Sequence, residues 1–340
     1  MLFTLLAFVV ALGTLITFHE LGHYWIARLC GVRVLRFSVG FGRVLARRTD
    51  RHGTEWAISA IPLGGYVKMQ DDPPAGASAA EAARSFNAQP VGRRIAIVAA
   101  GPLFNLFLAV VLYAGLNLAG TEVPAPVVGQ PAAGTPAAQA GLMAGDLDAG
   151  ALVALIQRHA GQPLALTVQR GADRLTLTVV PRAESVQGQE VGRIGVQLGG
   201  DIPMVTVRYG VIDSVWRGVQ RTWDTAWLSL RMMGRMVLGE VSWRNISGPV
   251  TIADYAGQTA RIGLKAYIAY LALISISLGV LNLLPIPMLD GGHLLYYLVE
   301  IVKGSPVSDR WIDIGQRAGI GLLAGLMGLA LFNDFARLFT

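Results

Sequence analysis

Charge is what this sequence has least of. Asp, Glu, Lys and Arg together make up 15% of its 340 residues, while 53% are hydrophobic. Soluble globular domains carry roughly a quarter charged residues, so this scarcity excludes an ordinary soluble protein and marks a membrane protein. Only one cysteine is present, Cys30, which excludes an intrachain disulfide. No cation precedes Arg28, so the beginning lacks the basic stretch of a cleaved signal. The apolar run from Met1 to Phe18 reads instead as part of a retained spanning helix, residues 1 to about 27. The net charge of +6 comes from no single aromatic-laced basic patch, which argues against nucleic acid and for a charge bias across a membrane.

Four segments are long and apolar enough to cross a bilayer, which takes about 20 residues. They are Leu2 to Ala27, Ile95 to Leu118, about Tyr267 to Leu284, and about Ile314 to Phe332. The last is rich in glycine (Gly315, Gly319, Gly321, Gly325, Gly328), which suits close helix packing. Between Arg28 and Arg94 eleven cations face five acids; between Gly120 and Asp201 seven acids face five arginines. The positive-inside bias therefore puts the first loop in the cytoplasm, the second outside, and both chain ends outside. The expected fold is a polytopic α-helical membrane protein with four transmembrane helices, membrane-associated β-hairpins and a shortened α/β insert.

The expected organisation follows the chain: residues 1–27 first span, 28–94 a cytoplasmic-side β region and loop, 95–118 second span, 121–204 the outer insert, 205–263 an amphipathic helical region, 264–293 third span, 312–340 fourth span. Val32 to Val39 and Glu55 to Ile61 alternate as strands do, and the second leads into Gly64-Gly65-Tyr66-Val67-Lys68-Met69. Asp71 to Gln89 turns to Ala, Pro, Ser and acid, the composition of a mobile loop. The run Pro136-Ala137-Ala138 … Ala140-Gly141-Leu142 … Gly145-Asp146, then a helical stretch over 151–156 and strands over 164–169 and 175–180, resembles a PDZ module. It departs from that pattern where Gly145-Asp146 leads straight into the helical stretch. In the 205–241 region Trp216, Trp223, Trp227 and Leu230 share one helical face, with Arg217, Arg221, Arg231 and Arg235 among them. Such a helix suits a membrane interface or packing against the rest of the protein.

The chemistry gathers at His19-Glu20-Leu21-Gly22-His23. Residues four apart share a helix face, so His19 and His23 can hold one metal ion, and Glu20 lies close enough to act on a bound water. A catalytic zinc keeps three protein ligands and one open position. Candidates for the third ligand near apolar segments are Asp290, His293 and, less well placed, Glu300. Asp290 is preferred, because Pro285, Pro287, Gly291 and Gly292 break the third span around it. Irregular backbone at membrane depth belongs to polar, water-containing cavities, and an acid beside it is by default functional.

With these residues in view, the whole chain resembles the site-2 protease family of intramembrane zinc metalloproteases. The resemblance rests on His19-Glu20-x-x-His23, on Asn282 … Pro285 … Leu289-Asp290-Gly291, on Gly64 to Met69, on Ala100-Gly101-Pro102-x-x-Asn105, and on a PDZ-like insert between spans two and three. It implies one zinc ion per chain held by His19, His23 and Asp290, with Glu20 as general base. It also implies substrate contacts at Asn282, with Pro285 of the same motif and Asn105 beside it, and an edge strand, Gly64, Gly65, Tyr66, Val67, Lys68 and Met69, that pairs with an unwound substrate. The implied substrates are single-span membrane proteins, such as an anti-sigma factor, or remnant signal peptides, in a bacterial inner membrane. Some members carry two tandem PDZ domains; this chain has room for one shortened module. The competing reading is a non-proteolytic, zinc-binding membrane scaffold that holds partners through the PDZ-like insert; a zinc transporter is weaker, since it would not need Glu20.

Overall fold

The computed structural model describes residues 1–73, 75–124, 131–143, 147–148, 156, 159–170, 173–186, 189–195 and 204–338. The chain divides into two units, Met1–Leu118 with Tyr209–Thr340, and Ala119–Arg208.

In the first unit four helices are long and apolar enough to cross a membrane: α1 (Leu2–Leu29), α2 (Val91–Ala119), α5 (Leu264–Leu283) and α7 (Asp309–Leu338). Lipid offers helices no hydrophobic drive to associate, so close packing of small residues and interhelical hydrogen bonds must hold them. Both are present. Ala7, Ala11 and Leu15 of α1 pack with Leu108, Tyr270 and Leu271, and Ala109 and Tyr113 of α2 pack with Ala272, Ile276 and Val280 of α5. A Cβ on Gly22 of α1 would collide with the Ala100 carbonyl of α2, so the two backbones approach as only glycine allows. Ser275 Oγ donates to the Asn105 carbonyl at 2.7 Å, and Tyr267 Oη to the Ala7 carbonyl at 2.6 Å.

Between α1 and α2 lie two long strands, β1 (Val34–Thr49) and β2 (Glu55–Met69), each bent on itself. Residues Arg36 to Val39 pair with Gly65 to Lys68 on one side and with Glu55 to Ile58 on the other, while Val44 to Thr49 pair with Glu55 to Ser59. Gly65 to Met69 thus forms an edge, with strand pairing on one side only among the described residues. The hairpin turn is fastened by Asp50, whose carboxylate accepts from the Thr54 and His52 amides and from the Trp56 indole. Burial alone would raise the Asp50 carboxyl; these donors more than reverse that and hold it below the ordinary range.

Within the stretch expected to be a mobile loop, residues 75–89 carry local structure. Ser78 caps a short helical turn at Ala79–Ala82, with Glu81 completing a capping box. On either side of it Gln70, Ser85 and Gln89 are buried and hydrogen-bonded. Its buried polar side chains bond to one another and to backbone, which composition does not reveal.

The third span is broken around Pro285 and Pro287, as expected, so 264–293 is not one helix. It ends at Leu283, and after a turn over 284–289 a new helix, α6 (Asp290–Lys303), begins with Asp290 as its first residue. Met288 in that turn is the one non-glycine residue with positive φ, 82°, among the described residues. Glu300 of α6 meets Arg94 at the start of α2, Nη2 to Oε1 2.6 Å, with both side chains largely buried and the guanidinium stacked 4.9 Å over Tyr297. That pair fixes α6 against α2 and occupies Glu300 far from the histidines.

The amphipathic region comprises α3 (Val211–Val237) and α4 (Pro249–Ile262). On α3, Trp216, Trp223 and Trp227 are exposed. A third face, unnoticed in the alternation of Trp and Arg, is buried: Ser214, Gly218 and Thr222, with a Cβ on Gly218 set to meet the Val110 carbonyl of α2 at 2.8 Å. The α4 N-terminus is capped from α7, where Asp334 accepts from the backbone N–H groups of Gly248, Val250 and Thr251. The glycines of α7 do less than expected. Gly315 and Gly319 abut Tyr296 and Pro287, but nothing lies within 4 Å of a Cβ built at Gly321, Gly325 or Gly328.

In the second unit β5 (Leu164–Arg170) and β6 (Asp173–Val179) form an antiparallel hairpin, extended by the two-residue β4 (Leu147–Asp148). The chain therefore does form a strand after Gly145-Asp146, where a direct passage into helix was expected; local sequence lacked the pairing that makes it one. Pro136–Gln139 is a helical turn capped by Thr135. Its Ala137 packs with Leu142, Leu164, Leu166, Val168, Val179 and Ile194. Two further pairs, β3 (Thr121–Pro124) with β9 (Met204–Val207) and β7 (Arg182–Val186) with β8 (Gln189–Arg193), complete the described strands. Gly145, Asp146 and the expected helix over 151–156, apart from Ile156, lie outside the described residues.

Glu300→Gln leaves Arg94 buried without its carboxylate. Removing one partner of a buried pair costs about 3 kcal/mol, which chemical unfolding of the detergent-solubilised protein should register.

Candidate metal centre and active site

Two elements that start far apart in sequence converge at one point. His19 and His23 project from one face of α1, and Asp290 enters from the first turn of α6. His19 Nε2 lies 3.1 Å and His23 Nε2 3.6 Å from Asp290 Oδ2, and the two Nε2 atoms are 3.2 Å apart. Asp290 Oδ2 is buried with no hydrogen-bond partner. His293 is exposed and stands edge-on to Tyr296, outside this cluster.

The tautomers are set from behind. His23 Nδ1 lies 2.9 Å from the Ile97 carbonyl, which can only accept, so Nδ1 carries the proton and Nε2 a lone pair. Asn105 is wholly buried, its amide nitrogen 3.4 Å from His19 Nδ1 and its Oδ1 without a partner. Oxygen and nitrogen of an amide are assigned from the bonds they make. Exchanging them gives Oδ1 the His19 Nδ1 proton to accept, removes the orphaned acceptor, and turns a second Nε2 lone pair toward Asp290. Two lone pairs and a carboxylate oxygen facing one another in a buried site suit a cation, and this N,N,O set with a free fourth position suits zinc.

Space for the ion is kept by a glycine. A Cβ on Gly101 of α2 would collide with His23 Nε2 and lie 2.8 Å from His19 Cε1. Gly291 and Gly292 play a similar part behind Asp290: a Cβ on either would strike the carbonyls of residues 283, 284 or 286. Glu20 sits one residue along α1 from His19, beside Gly65, whose Cβ would come 3.5 Å from Glu20 Cγ.

A cavity of about 390 Å³ opens beside the centre. Glu20, His23 and Asp290 form one wall, and Tyr66, Val67, Lys68 and Met69 another. Gly64, Gly65, Asn282 and Pro285 are not among its lining residues. Gly64 packs on the Phe41 ring, and Gly65 on the Ser38 carbonyl. Asn105 reaches His19 and is not among the cavity's lining residues. Sequence reasoning missed Ile97, Phe86 and Val98. Ile97 acts through its backbone and leaves no mark in the sequence; the other two are ordinary apolar residues.

Comparison with known proteins adds to this geometry. A family model described as Peptidase family M50 matches residues 7–326. The chain belongs to peptidase family M50. Relatives agree: the Regulator of sigma E protease of Salmonella typhi is 36% identical over 99% of both chains, and the Regulator of sigma-E protease RseP of Escherichia coli 35% identical over the same shares. A Ralstonia nicotianae relative with zinc metalloprotease in its name is 37% identical, again over 99% of each. This M50 member is an intramembrane zinc metalloprotease, and the scaffold alternative is not favoured. The alignment with the Escherichia coli protein runs over 447 positions against 340 residues here, so over a hundred positions have no counterpart in this chain.

Gly101→Val should empty the metal centre: purified protein assayed by elemental analysis loses most of its zinc. Gly115→Ala, on the same helix where nothing lies within 4 Å, keeps it.

Proposed function

We propose that His19, His23 and Asp290 hold the zinc ion and that Glu20 serves as general base and then general acid in peptide-bond hydrolysis. The observation that carries this is the convergence of the three ligand atoms within 4.8 Å, with Glu20 on the adjoining cavity wall. Zinc, when bound, activates a water and polarises the scissile carbonyl. Glu20 takes the proton from that water at its carboxylate and delivers it to the departing amine. The Ile97 carbonyl and Asn105 hold the two imidazoles in the tautomer that binds metal.

The substrates are single-span membrane proteins, with an anti-sigma factor or remnant signal peptides as the types that the family resemblance implies. Peptide bonds inside a transmembrane helix are hidden, so the helix must be unwound and held extended. The Gly64 to Met69 edge suits this, since an extended peptide can add to it through main-chain hydrogen bonds. Asn282 and Pro285, on the approach to Asp290, are assigned to substrate on the family resemblance. The protein lies in the bacterial inner membrane with both ends outside and the active site toward the cytoplasm, a reading supported by the excess of cations between Arg28 and Arg94. The 121–204 region is a shortened PDZ-like module.

Three outcomes test this. Glu20→Gln keeps its zinc and loses cleavage of a model transmembrane substrate by 10²-fold or more, about the scale of a general base. Asp290→Ala loses the zinc itself. Cys30, at the C-terminal end of α1 and the only thiol, resists a membrane-impermeant thiol reagent in intact spheroplasts and reacts after permeabilisation; labelling without permeabilisation would invert the topology.

A further inference from the structure

The cavity beside the metal centre has a third wall with no role so far, made by Phe86 and Val98. Both are held firmly. The Phe86 N–H donates to the Gln70 carbonyl at 2.7 Å and the Asn87 N–H to the Asp71 carbonyl at 3.0 Å. Gln70 Nε2 donates to Ser85 Oγ at 3.0 Å, and Gln89 Nε2 to the Ala83 carbonyl at 2.6 Å. The Gln70, Ser85 and Gln89 side chains are buried, so a shift of the bracket carrying Phe86 would leave them unpaired. The Phe86 ring backs onto the cluster of Tyr24, Val32 and Ile97. Val98 follows Ile97, whose carbonyl anchors His23, so its distance from the metal centre is fixed by one peptide unit.

The bracket joins the chain at Gln70, directly after the edge residues Tyr66 to Met69. An extended peptide lying along that edge would therefore reach Phe86 where the edge ends. Met69, Phe86 and Val98 give this end apolar side chains, with the exposed Asp71 also among the lining residues, within about 390 Å³ that also takes in the metal centre. Here a side chain has somewhere to go and a limit to its size.

We propose that Met69, Phe86 and Val98 form the pocket that receives the substrate side chain next to the scissile bond, and that Phe86 and Val98 set the size it accepts. This rests on the reading of Gly64 to Met69 as the strand to which substrate adds. Small and medium apolar residues fit; large aromatic ones are turned away by the Phe86 ring. Differences of one or two carbons in an apolar pocket discriminate by about 10- to 200-fold, so the effect is measurable.

The test is a set of transmembrane substrates carrying Ala, Leu or Phe in turn at each position around the cleaved bond, assayed with the zinc-loaded protein in detergent. Phe86→Ala should raise the Phe-to-Ala ratio of kcat/KM by about tenfold or more at one position, and Val98→Leu, a milder change, should lower it there. The same peptides are titrated against Glu20→Gln protein with and without each wall substitution, so that selectivity is read as binding without any cleavage. A rise for Phe86→Ala and a fall for Val98→Leu, confined to one substrate position, support the pocket, and shifts of the opposite sign overturn it. Unchanged selectivity in both assays, with zinc content intact, overturns it, and Val98→Leu decides alone if Phe86→Ala does not fold. Absence of cleavage by the unaltered protein would count against proteolysis, while the binding selectivity would still judge the pocket.

Discussion

Everything at the active site depends on how closely α1 and α2 approach. Two imidazoles and the space for an ion must fit between backbones inside an apolar bundle, and side chains there have to be absent. Gly22 and Gly101 supply that absence, the first against the Ala100 carbonyl and the second beneath His23 and His19. The same approach brings the Ile97 carbonyl and the Asn105 amide behind the imidazoles. Polar groups in such surroundings are costly unless each has a partner, so the helix contact and the ligand tautomers form one constraint.

The proposed third ligand is delivered by a different device. A carboxylate at the end of a continuous apolar helix would point wherever that helix led. Here the chain stops at Leu283, turns tightly with Met288 at positive φ, and starts again with Asp290. Gly291 and Gly292 let the new helix press onto the end of the old one, and the Arg94–Glu300 pair holds it against α2 about three turns further on. A buried ion pair is weak as a source of stability, but it discriminates strongly between one placement of α6 and another.

The sheet gives the site its second side. The double pairing of β1 consumes one flank of Gly65 to Met69 and leaves the other beside the cavity with Glu20. Main-chain donors and acceptors along a free edge recognise extended chain of any sequence. Selectivity must then come from pockets for side chains, and the ordered bracket around Phe86 is in a position to supply one.

Local sequence sufficed for the membrane class, the four spans, the candidate metal pair with its adjoining glutamate, and the preference for Asp290. Each of these is written in local composition or in the period of a helix, and needs no knowledge of distant contacts. Contacts across the fold were needed for the start of a new helix at Asp290, the pairing of Glu300 with Arg94, the place of Asn105 behind His19, and the bracket over 75–89. These depend on which groups meet across the fold: a loop of Ala, Ser and Gln is mobile or fixed according to whether its amides find buried partners. The Ile97 carbonyl shows the limit most plainly, since a backbone acceptor is common to all residues and only position makes it the one that orients His23.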